Sequence, residues 1–384
     1  MMTNKLPFMF LVLLLTACNL AEESDKKEES AESLIPEWGL GPFIRDETAP
    51  RIYPKKESAF FCPIKKDTIP WEDKSILCAS AVVKDGKVFL IYRAEDKSRG
   101  DSWGTSRLGI AVSSDGRNFE RDPHPVLYPD NDFMKELEWP GGCQDPRIVK
   151  SDSGDYIMTY TAFDGNSGRL CIAVSKDLYH WEKKGSAFLR FKGGKYKDIW
   201  SKSGAIVCRR EGDQIIASRV NGKYWMYFGD TGLLLAQSDD LVNWDIIETE
   251  GGFQPKVVLP LRPGKWDADV VEGGPYALIT DKGIHMIFNG GTLAGRKDIG
   301  LKGPVWSLGQ VLFDKNDPEK ALDRTDKDFF YPEKDWEINY VGKSGEGGLG
   351  NVVFVEGLIW FNNEWRFYSG DANTCISTSY YRKD

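Results

Sequence analysis

Short apolar runs recur along the chain in a constant order. "KVFLIYRAED" precedes "RLGIAVSSDGRNF", "DYIMTYTAFDG" precedes "RLCIAVSKDLYHW", and "KYWMYFGD" precedes "LLLAQSDDLVNW". Each unit joins two aromatic-rich, strand-like runs to a Ser-x-Asp turn and then an aromatic residue. The turn serines, Ser113, Ser175 and Ser238, are almost evenly spaced. Two looser copies follow, "GIHMIFNGG" with "WSLGQVLFDKNDP", and "EWRFYSGDANTCIS". Strands at a long fixed period predict an all-β chain folded as a β-propeller, one repeat per blade, and five units predict a five-bladed β-propeller. The alternative is a β-sandwich with chance similarity between its strands. Sustained helical periodicity is missing, and "DNDFMKELEW" is the one short helix foreseen, in a loop between blades. Inner strands of a propeller line a channel, so polar residues near their starts converge from different blades.

The first residues follow another pattern. Lys5 precedes the apolar run "PFMFLVLLLTA", which is too short for an ordinary spanning helix. The run ends in "LTAC" and resembles a bacterial lipobox, cut before Cys18, with Cys18 then lipidated. Residues 1–17 are read as signal peptide. Residues 18–37, with "NLAEESDKKEESAES", are too polar to bury a core and read as a tether. The acidic stretch resembles the surface-export signals of Bacteroidota lipoproteins. Residues 38–384 are read as one folded domain. The protein is thus expected to be exported and held at the bacterial outer membrane through its lipid alone.

Composition narrows the chemistry. A net charge of -8 argues against nucleic-acid binding, which needs a basic patch. Beyond Cys18 the cysteines lack C-x-x-C spacing, and His124, His180 and His285 share no metal-ligand spacing, so neither metal nor organic cofactor is expected. The glycine-rich "GEGGLGN" lacks the strand and helix that flank a nucleotide loop and reads as a turn. The 13 Trp and 15 Tyr suit a sugar binder, and equally a propeller core. Trp181 and Trp244, at the repeated position, are expected to pack, whereas Trp103 and Trp139 are candidate sugar platforms.

"EWPGGCQDPRIVK" stands out because two glycines and an Asp-Pro-Arg step directly precede a strand-like run. The glycines permit a sharp turn or a close approach. Pro146 is expected to bias Asp145 toward an extended backbone. By local features Asp145 is either a turn residue or a stiffly held catalytic carboxylate.

"GGCQDPRI" resembles the Gly-x-Glu-Asp-Pro-Arg signature of glycoside hydrolase family 130, the β-mannoside phosphorylases and hydrolases. "WSKSGAIV", "VVEGGPYALITDKGIHMIFNGG", "LGQVLFDKNDPEKALDR" and "YPEKDWE" fall in that family's order. The resemblance implies a five-bladed propeller acting on an oligosaccharide, with Asp145 as general acid, passing its proton through a sugar hydroxyl. An acid working near neutral pH needs a raised pKa, and an arginine too near would lower it. Gln144 stands where the family has Glu. The base of an inverting hydrolase is sought about 6.5–9.5 Å from the acid. Glu272, before a Gly-Gly-Pro turn, is the candidate, either as base or as turn cap, with Asp267 and Asp269 as rivals. The resemblance also implies substrate contacts from Arg93, Asp96, Arg107, Arg147, Asp164, Arg169, Lys202, Asn289 and Asp371. Arg169 and Lys202 match family cations that would hold phosphate in a phosphorylase. Asn289 replaces a His that many phosphorylases carry, which favours inverting hydrolysis. A sugar-binding propeller without catalysis is the alternative of a different class, and Gln144 favours it.

Overall fold

The computed structural model describes residues 34–98, 104–338 and 350–382. Cys18, the signal peptide, most of the expected tether and Trp103 lie outside these residues. The chain is all-β, and its strands form successive antiparallel meanders. Ser75–Lys84 pairs with Lys87–Glu95, then Ser106–Ser113, then Glu120–Arg121. Gly142–Lys150 starts a second meander through Tyr156–Phe163, Gly168–Ser175 and Trp181–Ser186. Ala205–Glu211 leads into Lys223–Phe228, Leu233–Ser238 and Trp244–Ile246. Val270–Ile279 leads into Ile284–Thr292, Val305–Phe313 and Ala321–Arg324. Val353–Phe361, Glu364–Asp371 and Cys375–Tyr381 complete their sheet with Ile44–Arg45 from near the other end of the chain.

That early segment is anchored before its strand begins. Leu34 and Ile35 pack against the core, the Trp38 indole N–H donates to Asp323 at 2.8 Å, and Phe43 meets Phe367 at 4.6 Å between centroids. The short helix is present at Lys135–Glu138, where "DNDFMKELEW" placed it.

The repeated Ser-x-Asp unit has one physical explanation. Ser113, Ser175 and Ser238 each end the third strand of a meander, and each hydroxyl accepts two backbone N–H groups of the turn after it. Each Asp two residues on accepts two more. Ordinary turn amides are thus satisfied by side chains. Gly116, Leu178 and Leu241 hold the same left-handed place in the three turns. The Trp181 and Trp244 indoles close the motif on the carbonyls of Leu178 and Leu241, as packing residues should.

The first strand of each meander packs beside those of its neighbours. Four of these strands are interrupted by bulges, at Leu77/Ala79, Gln144/Arg147, Gly273/Ala277 and Val355/Gly357. A bulge turns a side chain out of the alternating pattern. Here the interruptions carry Cys78, Asp145 and Glu356, and one directly follows Glu272.

Ser238→Ala removes the acceptor for Asp240 N–H at 3.1 Å and Leu241 N–H at 3.0 Å. Stability should fall by about 1–2 kcal/mol, read as a lower urea midpoint with an unchanged slope. An unchanged midpoint would mean that the turn is held by its strands alone.

Candidate active site

Cys78, Asp145 and Glu272 from three of the bulged strands open onto a cavity of about 150 Å³, lined also by Leu77, Arg93, Lys202, Trp306 and their neighbours. Asp145 adopts a left-handed backbone with φ 52°, not the extended one expected from Pro146. The bulge between Gln144 and Arg147 imposes that turn, at a cost of roughly 1–3 kcal/mol. Gly142, with φ 106°, makes the entry possible, because a Cβ there would strike the Ser106 carbonyl.

Three cations then fix the carboxylates. Arg93 donates to Asp145 Oδ1 at 2.9 Å and also pairs with Glu95. Lys202 Nζ lies 3.3 Å from Asp145 Oδ2 and 3.2 Å from Glu272 Oε1. One ammonium therefore joins the two candidate catalytic groups. Their nearest oxygens are no farther apart than the sum of those two distances, so with Lys202 between them the pair lies at or below the short end of the ~6.5–9.5 Å window for inverting chemistry. Arg147 lies beneath and donates to the carbonyls of Gly274 at 2.8 Å, Gly273 at 2.6 Å and Asp145 at 3.2 Å. It ties the Asp145 bulge to the Glu272 bulge. Ser203, itself at φ 61°, donates its hydroxyl to Glu272.

Electrostatics separate the carboxyl groups. Burial acts to raise the Asp145 pKa, but Arg93, Lys202 and Arg147 outweigh it and hold the group well below the usual carboxylate range. The raised pKa expected of an acid is therefore not found at Asp145, because two cations touch it. Burial raises Glu272 despite Lys202 and Arg147, which suits a group that must accept a proton. Burial also pushes Glu356 up to about 8, against the opposing charge of Arg147. Gln144 donates to the Ser106 hydroxyl at 3.3 Å; that hydroxyl also accepts from Arg93 at 3.0 Å and donates to Glu95 at 3.2 Å. The amide completes this network without adding another negative charge beside Arg93.

Other residues singled out in the sequence fall elsewhere. Asp96 and Arg107 pair with each other at 2.7 Å, both buried and apart from the cavity lining. Asp164 caps a turn through Asn166 N–H and Ser167 N–H and pairs with Arg169 at 2.7 Å. Arg169 also reaches Asp198 at 3.3 Å. The side chain of Asn289 exchanges hydrogen bonds with the Val355 backbone. Asp371 is buried, and its pKa is raised by that burial and by Glu337; Gly370 and Asn373 line the cavity in its place. Asp267 is held by Arg262 at 2.7 Å and by Arg324, and Asp269 accepts from Leu293 N–H at 2.8 Å, so neither rivals Glu272. Trp139 packs into the core.

Sequence reasoning missed Glu356, Glu95, Ser203 and Trp200. Glu356 carried a legible signal, since "FVEGL" repeats the "VVEGG" of Glu272. Trp200 is 48% exposed. Its ring lies over Gly168 and its N–H donates to Asp230 at 2.9 Å. It lies two residues from Lys202, beside Arg169.

The family model described as beta-1,4-mannooligosaccharide phosphorylase matches residues 64–384. The chain belongs to this family, glycoside hydrolase family 130. Among family members it is 33% identical over 315 residues to a 1,2-beta-oligomannan phosphorylase of Thermoanaerobacter sp. (strain X514), covering 80% of this chain and 90% of the relative. A glycosyl hydrolase structure from Bacteroides ovatus is 39% identical with a TM-score of 0.84, covering 91% of this chain and 96% of that one. A structure described with family 130 hydrolases that target beta-1,2 mannosidic linkages in Candida mannan is 38% identical with a TM-score of 0.84, over 91% and 96% of the two chains.

Arg93→Met leaves Asp145 with Lys202 alone and Glu95 with only the Ser106 hydroxyl, and should cost about 3 kcal/mol at pH 7. The sign of its pH dependence follows from the lowered Asp145 pKa. In the wild type the contribution of Asp145 is present above the unfolded carboxylate pKa and is lost only as pH falls through the lower folded value. In the variant Asp145 protonates at higher pH, so the stability gap between the proteins should narrow on acidification. A gap independent of pH in urea unfolding would contradict the pairing.

Proposed function

We propose that this family 130 enzyme hydrolyses β-mannosides with inversion, β-1,2-linked ones first among them. The observation that carries the reading is the Lys202 ammonium held jointly by Asp145 and Glu272. Glu272 takes a proton from the attacking water, and Asp145 delivers one to the leaving oxygen as its bond to C1 breaks. Phosphate would have to enter beside both carboxylates. Of the two cations expected to cradle it, Arg169 is held by Asp164 and Asp198 and Lys202 by Asp145 and Glu272, while Asn289, in the place of a phosphorylase His, is committed to Val355. The phosphorylase reading is the second one, supported by the names of the curated relatives.

The cavity of about 150 Å³ is well below the roughly 300–1,000 Å³ of a drug-sized ligand site. One terminal sugar unit is what fits inside, with the following units near Trp200 at the rim. The meanders are read as the five blades of one propeller that binds this oligosaccharide on the channel axis. The lipobox-like start supports anchorage at the outer membrane through Cys18, where hydrolysis needs no retained sugar phosphate.

The wild type should release mannose from β-1,2-mannobiose and longer β-mannosides equally with and without phosphate. Asp145→Asn and Glu272→Gln should each lower kcat about 10²–10⁴-fold. Product that forms only with phosphate would establish the phosphorylase instead, and binding without product would establish the sugar-binding alternative. Trp200→Ala should raise KM about 3–10-fold for the trisaccharide, from roughly 1 kcal/mol of lost ring contact, and leave the disaccharide nearly unchanged. Equal effects on both would remove Trp200 from the rim subsite.

A further inference from the structure

We propose that Glu356 holds the proton that Asp145 delivers to the leaving oxygen. The inference rests on the reading of Asp145 as the acid, and it answers the difficulty that Asp145 itself stands ionised. Glu356 reaches the site through the Val355/Gly357 bulge. The polar ends of Cys78, Asp145 and Glu356 all lie within 4.8 Å of one another.

Negative charge exceeds positive around the site. Among the described residues, Asp145, Glu272, Glu95 and Glu356 face Arg93, Lys202 and Arg147, and Asp230 adds a further negative charge felt by Lys202 and Glu272. A proton bound within the set reduces the excess. Asp145 has Arg93 and Lys202, Glu272 has Ser203 and Lys202, and Glu95 has Arg93 and Ser106. Glu356 has one cation, Arg147, and neither of its oxygens has a hydrogen bond from the described residues. Its side chain is fully covered. Arg147 Nη1 approaches one oxygen to 3.0 Å, but its hydrogen bond goes to the Asp145 carbonyl.

Burying a carboxylate without a hydrogen bond costs several kcal/mol and favours its neutral form. The groups facing Glu356 are Cys78 on the first inner strand, Asp145 and Arg147 on the second, Lys202 on the loop before the third, and Glu272 on the fourth. The pKa of about 8 reflects burial and the carboxylates, only partly offset by Arg147 and Lys202. Cys78 stays a neutral thiol, since burial and the nearby Glu356 and Asp145 raise it well above its ordinary value.

The step balances. An O–H bond of Glu356 breaks as one forms on Asp145, across a gap closed by a side-chain torsion or one water. That proton passes to the leaving oxygen as the C1–O bond breaks. The proton taken from water by Glu272 returns through solvent to Glu356, so no net proton is consumed. Glu356 acts through Asp145 and is a positioning residue for the proton rather than a group touching the sugar.

Two measurements test this in the full-length protein. Carboxyl ¹³C NMR of glutamate-labelled wild type should show one resonance titrating near pH 8 that is absent from Glu356→Gln; every glutamate ionised at pH 7 would overturn the proposal. The second compares a dinitrophenyl β-mannoside, whose leaving group needs no proton, with β-1,2-mannobiose. Glu356→Gln should lose about 100-fold on the disaccharide and at most about 3-fold on the activated substrate. It should also lose the limb near pH 8 from the kcat/KM profile. Equal loss on both substrates with an unchanged profile would make Glu356 merely structural and overturn the proposal. A wild type inactive on both would refute the glycosidase reading separately, and the NMR titration would still decide where the proton resides.

Discussion

The structure turns on one ammonium. Lys202 reaches from the loop before the third meander and sits between Asp145 of the second and Glu272 of the fourth. Buried carboxylates are expensive unless they are paired, so this contact sets what the backbone around it must do. Arg147 ties the same two strands through three backbone carbonyls. The bulges, the left-handed Asp145 and the left-handed Ser203 are the local strain by which the strands meet that demand. Hydrophobic packing between the sheets holds the strands rigid enough to sustain it.

Much of this architecture was legible in the sequence. The Ser-x-Asp echo marked the outer half of three meanders because side-chain acceptors for turn amides cannot be replaced by arbitrary polar residues. Arg93, Asp145, Lys202 and Glu272, read from widely separated segments, meet around one cavity. The misses have physical reasons. Strand periodicity says which face a residue occupies but not which neighbour waits there. Asp96 and Arg107 were assigned to sugar and found each other, and Asn289 found a backbone. The rule that proline favours an extended preceding residue failed at Asp145 because a bulge held by buried ion pairs outweighs a local preference. Glu356 was passed over as one charge in an apolar strand, although its "VEG" repeats that of Glu272.

The arrangement also explains how neighbouring carboxyl groups come to differ. The cations touching Asp145 hold its pKa low, burial raises that of Glu272, and burial raises that of Glu356 to about 8, where neither oxygen has a hydrogen bond. In the proposed mechanism, environment rather than residue type separates base from proton store. The neutral Gln144 belongs to the same logic, since it supports Ser106 and Arg93 without enlarging the negative charge.

The most direct test of this account is the first product formed from β-1,2-mannobiose in phosphate buffer, followed by proton NMR before the anomers equilibrate. The account requires free α-mannose as the initial new sugar, because water shielded by Glu272 attacks opposite the bond that Asp145 cleaves. Mannose 1-phosphate would show that phosphate, not water, takes the place beside Lys202. Free β-mannose would show retention and contradict the assignment of Glu272 as base.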